Sequence, residues 1–276
     1  MTRVVSELPI GVFDSGVGGL TVLRALRAAL PLESTIYLGD TARLPYGTKS
    51  ADSVLRYSLQ ASAQLVQRGI KLLVVACNTA SALALASLRE QLAPLPVIGV
   101  VEPGAQAAVE ASARQHHLVL ATEATVSRRA YTHAIHALQP QASVEELACS
   151  LLVALAEEGW TEGEIAESVA RAYVTRVFAR PASERPDTII LGCTHFPLVQ
   201  SAIRAAVGTQ PQIIDSASAT ARVVAATLER SDALAVSRRA PTLRLLATDG
   251  PARFARLGAR FLGETFEESD VELVDL

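Results

Sequence analysis

Lys71-Leu72-Leu73-Val74-Val75-Ala76-Cys77-Asn78-Thr79 decides the fold. A short, almost wholly apolar run closed by a polar pair, ahead of an alanine- and leucine-rich stretch, reads as a buried parallel strand feeding a helix. The same design recurs at Asp187-Thr188-Ile189-Ile190-Leu191-Gly192-Cys193-Thr194-His195. In an open α/β sheet, ligands bind outside the carboxyl ends of the strands. A thiol at that place, beside the first N–H groups of a helix, is pushed towards thiolate. Two such thiols, one in each half of the chain, point to a ligand held between two bases.

Working outward, short β-rich runs alternate with longer helical patterns, the signature of a mostly parallel sheet covered by helices. Strands are predicted over residues 8–13, 36–38, 71–76, 96–100, 117–121, 144–148 (weakly), 188–192, 212–214, 243–247 and 271–274. Helices are predicted over 18–30, 50–68, 79–91, 124–137, 151–158, 162–178, 197–207, 219–229 and 252–262. Pro197 sits in the first turn of its helix, where a missing N–H does no harm.

The 276 residues suffice for one large domain or two ordinary ones, and with 50% apolar and 19% charged residues the chain can bury a sizeable core. A net charge of −3 leaves no basic footprint, so neither nucleic acid nor a membrane surface is expected as a partner. The longest apolar runs fall short of the ~18–20 residues a spanning helix needs. Residues 1–9, interrupted by Glu7 and Pro9, do not read as a signal peptide. Three scattered cysteines, Cys77, Cys149 and Cys193, make neither a disulfide framework nor a zinc knuckle, and a reducing, cytoplasmic setting fits them. There are two lysines, Lys49 and Lys71, so a Schiff-base cofactor has few places to attach.

Other residues carry chemistry less distinctly. Asp14-Ser15-Gly16-Val17-Gly18-Gly19 follows the first strand, and its glycines allow a close approach of ligand to backbone. It is no dinucleotide fingerprint, because the third glycine falls too early. Asp14 is suited either to orienting a base or to capping a helix, and capping is the plainer reading of this motif alone. Asn78-Thr79 and Thr194-His195 cap helices or hold a carboxylate, and their identical placement after two thiols favours a site. Tyr46-Gly47 lies in a polar loop that reads either as a lid or as a plain turn. Glu157 and Glu158 end a helical run as a solvated face. His116, His117, His133 and His136 lack metal-ligand spacing, and Cys149 reads as a buried structural thiol.

Together, Asp14-Ser15-Gly16-Val17-Gly18-Gly19, the stretch from Gly39 to Ser50, Cys77-Asn78-Thr79-Ala80-Ser81 and Cys193-Thr194-His195 resemble the glutamate racemase family, part of the cofactor-independent aspartate/glutamate racemase superfamily. The resemblance runs from about Ile10 to about Leu262, and four ordered motifs at matching separations make it specific. It implies two similar three-layer α/β/α domains with the active site in the cleft between them. One domain would comprise residues 1–98 and 211–276 and carry Cys77; the other, 99–210, would carry Cys193.

The resemblance further implies that Cys77 takes the α-proton of D-glutamate and Cys193 that of L-glutamate. Asp14 and His195 would assist the nearer thiol, with Glu157 as a helper carboxylate. Asp14, Ser15, Tyr46, Gly47, Asn78, Thr79, Thr194 and His195 correspond to the substrate-contacting pairs, and Thr125 would also reach the ligand. No pyridoxal phosphate, metal or nucleotide would take part, the enzyme would be a homodimer, and its D-glutamate would feed peptidoglycan synthesis. Ser150 and Ala154 stand where the family often has proline. A short N-terminus lacks the extension found in activator-controlled members, so no such activation is expected. Two other readings stand beside this one. The first is a related two-cysteine enzyme acting on aspartate or a hydantoin; the second is a redox sensor whose thiols are not bases.

Overall fold

The structure, a computed structural model, describes residues 6–236 and 240–276. Residues 1–5 and 237–239, which fall in the expected first domain, lie outside the described residues. The chain divides into two compact units, Met1–Val100 with Ala217–Leu276, and Val101–Ser216.

The chain opens with β1 (Ile10–Asp14), α1 (Leu20–Ala29), β2 (Thr35–Gly39), α2 (Ala51–Gln67), β3 (Leu72–Val75), α3 (Asn78–Leu92) and β4 (Val97–Gly99). The second unit follows with α4 (Val101–Ala111), β5 (His116–Ala121), α5 (Glu123–Ser127), α6 (Ala130–Leu138), β6 (Ser143–Ala148), α7 (Ser150–Glu158), α8 (Gly163–Phe178), β7 (Thr188–Gly192), α9 (Gln200–Val207) and β8 (Gln212–Asp215). Then come α10 (Ser216–Arg230), β9 (Leu243–Ala247), α11 (Pro251–Leu262) and β10 (Val271–Leu273).

In the first unit the sheet order is β10-β9-β2-β1-β3-β4, and every described pairing is parallel. In the second it is β6-β5-β7-β8, again parallel throughout. Strands buried on both faces explain the unbroken apolar runs: β1, β2, β3 and β7 are buried at every residue. Phe13, Leu38, Val75 and Leu246 anchor one core, while Val119, Tyr131, Ile135 and Ile190 anchor another. Burying such a side chain stabilises the fold by about 1.5–3 kcal/mol.

Both sheets reverse direction beside their first strand. The chain steps from β1 to β2 on one side and continues at β3 on the other; β5 stands in the same relation to β6 and β7. A reversal sends successive crossovers to opposite faces and leaves a crevice at the carboxyl ends of the two strands that flank it. Asp14 and Cys77 end or follow β1 and β3, while Thr122 and Cys193 follow β5 and β7.

Three elements differ from the sequence reading. Helix α4 is absent from it, because Pro103 and Gly104 in the first turn hide the helical signal. Gly104 has a packing reason: a Cβ there would lie 3.3 Å from the Tyr131 ring. The single helix expected over 124–137 is broken into α5 and α6, with Arg129 left-handed at φ 48°. Glu146 holds the break by accepting from the Thr132 N–H at 2.8 Å and hydroxyl at 2.7 Å, so it caps α6 from a neighbouring strand. Finally, the helix expected over 197–207 begins as a 3₁₀ turn, Phe196–Val199, before α9.

Lys71, at the amino end of β3, is buried. Its ammonium pairs with Glu33 at 2.5 Å and donates to the carbonyls of Ser6 and Ala233. Removing one partner of a buried pair strands the other charge, whereas removing both is much milder. We expect Lys71→Met to lower stability by about 3–5 kcal/mol and Lys71→Met/Glu33→Leu to recover most of that loss. Urea denaturation midpoints of the three proteins measure both effects.

Candidate active site

In the first unit, Cys77 is the N-cap of α3, and its sulfur accepts the Ala80 N–H at 3.4 Å. The place usually taken by a serine or aspartate oxygen is thus held by a thiol, and the helix start presents its N–H groups to it. Ser15 Oγ lies 3.5 Å from the sulfur. Asn78 and Thr79 form the first turn of α3 and are buried, as Cys77 is.

Asp14 ends β1, next to the strand that leads to Cys77, and its Oδ2 accepts the Gly16 N–H at 2.9 Å. The turn after Asp14 is tightly seated. A Cβ on Gly39 would fall 2.3 Å from the Gly16 carbonyl oxygen, so only glycine lets the two loops approach this closely. Tyr46 is likewise buried and donates to Asp40 Oδ2 at 2.5 Å. Asp40 also accepts from Arg43 Nε at 2.7 Å and from the Thr248 hydroxyl at 2.9 Å. Burial and the Asp40 carboxylate, with Cys77 a lesser contributor, push the Tyr46 phenol far up, so it stays a hydrogen-bond donor. The loop holding Tyr46 and Gly47 is therefore a braced structure.

In the second unit, Cys193 follows β7, and its sulfur lies 3.8 Å from His195 Nδ1. Thr194 Oγ1 lies 3.5 Å from the same nitrogen, and His195 Nε2 lies 3.2 Å from Glu157 Oε1. Glu157 belongs to the last turn of α7, and its contact with His195 corrects the reading of that residue as a solvated face. Burial opposes charge on His195, but hydrogen bonds to Cys193 and Glu157 more than offset it and raise the imidazole to about 10. Both contacts favour the protonated imidazole.

Thr125 is fully buried on α5 and lies 3.1 Å from the Thr122 hydroxyl, just beyond β5. Tyr131 lies against Gly192, where a Cβ would meet its ring at 3.0 Å and the Leu120 carbonyl at 2.9 Å. Cys149 follows the edge strand β6, and burial, with Cys193 adding, pushes its thiol up to about 12. Tyr37, Asp40 and Tyr131, which brace or pack against the segments carrying these groups, are not singled out in the sequence reading. Asp40 sits inside a quoted motif, and its polarity at a strand end was the available signal; the two tyrosines look like ordinary core residues.

Among the described residues, no group of three or more His, Cys, Asp or Glu is placed to hold a metal. Nor, among them, is any helix long and apolar enough to cross a membrane.

Residues 20–224 match the Asp/Glu/Hydantoin racemase family. A glutamate racemase from Geobacter metallireducens is 49% identical over 254 residues, which cover 92% of each chain. Glutamate racemase isoform RacE1 from Bacillus anthracis is similar in structure, with a TM-score of 0.91 at 36% identity over 98% of both chains. The glutamate racemase from Francisella tularensis, solved in complex with D-glutamate, gives 0.89 at 34% identity over the same shares.

The His195–Glu157 contact has a pH consequence. With its folded value raised to about 10, protonated His195 adds stability that is fully present below the free imidazole value of ~6.5. That stability is lost as pH rises through the folded value. For Glu157→Gln we expect the His195 value, followed by NMR titration, to fall by about one to three pH units. The stability loss between neutral and alkaline pH should shrink with it.

Proposed function

We propose a two-thiol proton transfer for this chain, which belongs to the Asp/Glu/Hydantoin racemase family and interconverts L-glutamate and D-glutamate. Cys77 takes the α-proton from D-glutamate and Cys193 takes it from L-glutamate, while the opposite thiol returns a proton to the other face of the carbon. Inversion then needs no rotation of the substrate. The observation that carries this reading is the repeated placement of a thiol just after a strand flanking a sheet reversal, Cys77 capping α3 and Cys193 ahead of the 3₁₀ turn Phe196–Val199.

Asp14, next to the strand leading to Cys77, and His195, next to Cys193, assist the nearer thiol. His195, held protonated by Cys193 and Glu157 against the opposing effect of burial, keeps a mobile proton beside the sulfur. Carbanion character at the α-carbon needs electrostatic stabilisation at the carboxylate, and neutral donors can supply it. We assign that work to Ser15, Asn78, Thr79 and Thr194 with the neighbouring backbone N–H groups, and further substrate contacts to Tyr46, Gly47 and Thr125.

We take the reaction to run without pyridoxal phosphate, metal or nucleotide. Lys71 is locked to Glu33 at the amino end of its strand, and Lys49 is half-buried beyond the Tyr46 turn. Neither suits a Schiff base. The named relatives are glutamate racemases, which favours glutamate over aspartate or a hydantoin. D-glutamate so formed would supply peptidoglycan synthesis in the cytoplasm, and we take the working form to be a homodimer.

In D₂O the wild type should place deuterium on the α-carbon of the inverted product without any added cofactor. Racemisation by Cys77→Ser and by Cys193→Ser should each fall by about 10²–10⁴-fold. Residual α-exchange should divide by enantiomer: Cys193→Ser exchanging D-glutamate, Cys77→Ser exchanging L-glutamate. Full racemase activity in both variants would exclude the mechanism, and a thiol redox sensor would show no exchange at all.

A further inference from the structure

A tyrosine in the middle of a buried strand reads as core, yet the phenol of Tyr37 ends among polar groups. We propose that Tyr37 is a positioning residue for the half-reaction run by Cys77: its hydroxyl grips the Asp14–Gly16 turn and so fixes the Asp14 carboxylate. The inference rests on the two-thiol reading above.

Strand register places the side chain. Tyr37 pairs with Val12 and Gly39 pairs with Asp14, so Tyr37, Gly39 and Asp14 share one face of the sheet. Tyr37 is fully buried, and its hydroxyl donates to the Gly16 carbonyl at 2.8 Å. The Gly16 N–H in turn donates to Asp14 Oδ2 at 2.9 Å. Gly16 is thus held at both of its backbone polar groups, one contact from the tyrosine and the other to the carboxylate.

The surroundings leave the turn little freedom. Gly39, two residues beyond Tyr37, clears the space that the Gly16 carbonyl occupies, and a Cβ on Gly19 would lie 2.5 Å from Asp14 Cβ. The Phe254 ring, 6.0 Å away and tilted 48°, backs the phenol from another side. Burial first, then the Asp14 and Cys77 charges, keep the phenol protonated. It is a fixed donor that takes no part in proton transfer itself. A carboxylate that assists a base must keep its geometry, and a small misplacement lowers the rate sharply.

Each half-reaction can be isolated by removing the opposite thiol. In the Cys193→Ser background, α-deuterium exchange into D-glutamate reports Cys77 alone; in the Cys77→Ser background, exchange into L-glutamate reports Cys193 alone. Adding Tyr37→Phe, which keeps the ring, should slow the first about 10-fold with KM changed by less than about 2-fold, a fraction of what a positioned acid–base group contributes. It should leave the second within about 2-fold, which also shows that the variant is folded. Equal slowing of both exchanges, or no slowing of the first, would overturn the proposal. Failure of the parent single-thiol variants to divide exchange by enantiomer would instead overturn the two-thiol reading, and this inference with it.

Discussion

Parallel strand pairing is the constraint on which everything else hangs. Strands that run the same way must be joined by crossovers, so each carboxyl end opens into a loop and a helix start at one rim of the sheet. Where strand order reverses, at β1 in one unit and at β5 in the other, neighbouring loops part to opposite faces. Asp14 and Cys77 stand at two such strand ends, as do Thr122 and Cys193. Cys149 follows a strand too, but β6 is an edge strand one place from the reversal. Its thiol is pushed up to about 12 by burial first and Cys193 second, and its sulfur donates to the Leu147 carbonyl at 3.5 Å.

Equivalent positions carry unequal chemistry. Beside Cys77 stand a serine hydroxyl and the capping N–H of Ala80, with the Asp14 carboxylate at the end of the neighbouring strand. Around Cys193 it provides an imidazole with a carboxylate behind it. A racemase must treat mirror-image substrates alike at equilibrium, but the proposed two-thiol transfer does not require both thiols to be activated in the same way. The difference agrees with two units that share a strand-order rule while differing in size and helix pattern.

Most strands, both thiols and their polar successors were legible because β-rich runs buried on both faces leave few alternative readings. Legibility failed where a contact distant in sequence overrides local preference. Residues 101–111 carry Pro103 and Gly104 at a helix start, and the glycine is needed by Tyr131, far along the chain. Residues 124–137 are periodic enough for one helix, but Glu146 caps a break inside them. Glu157 looks like a solvated helix end until His195 is placed beside it. Tyr37 and Asp40 matter through strand register and loop bracing, which no local pattern reports. Family resemblance supplied Glu157 and Thr125, which composition and spacing left ordinary.

One unit is built from a contiguous stretch, while the other draws β9 and β10 from beyond it. Strand β9 hydrogen-bonds along the whole of β2, so that flank of the six-stranded sheet waits for residues more than two hundred places later. During ribosomal synthesis, where domains generally form as units in order of emergence, the inserted stretch can close first. The half carrying Cys77 is left with an open β2 edge until the last strands arrive. Nascent-chain aggregation would then concentrate on that unprotected ribbon.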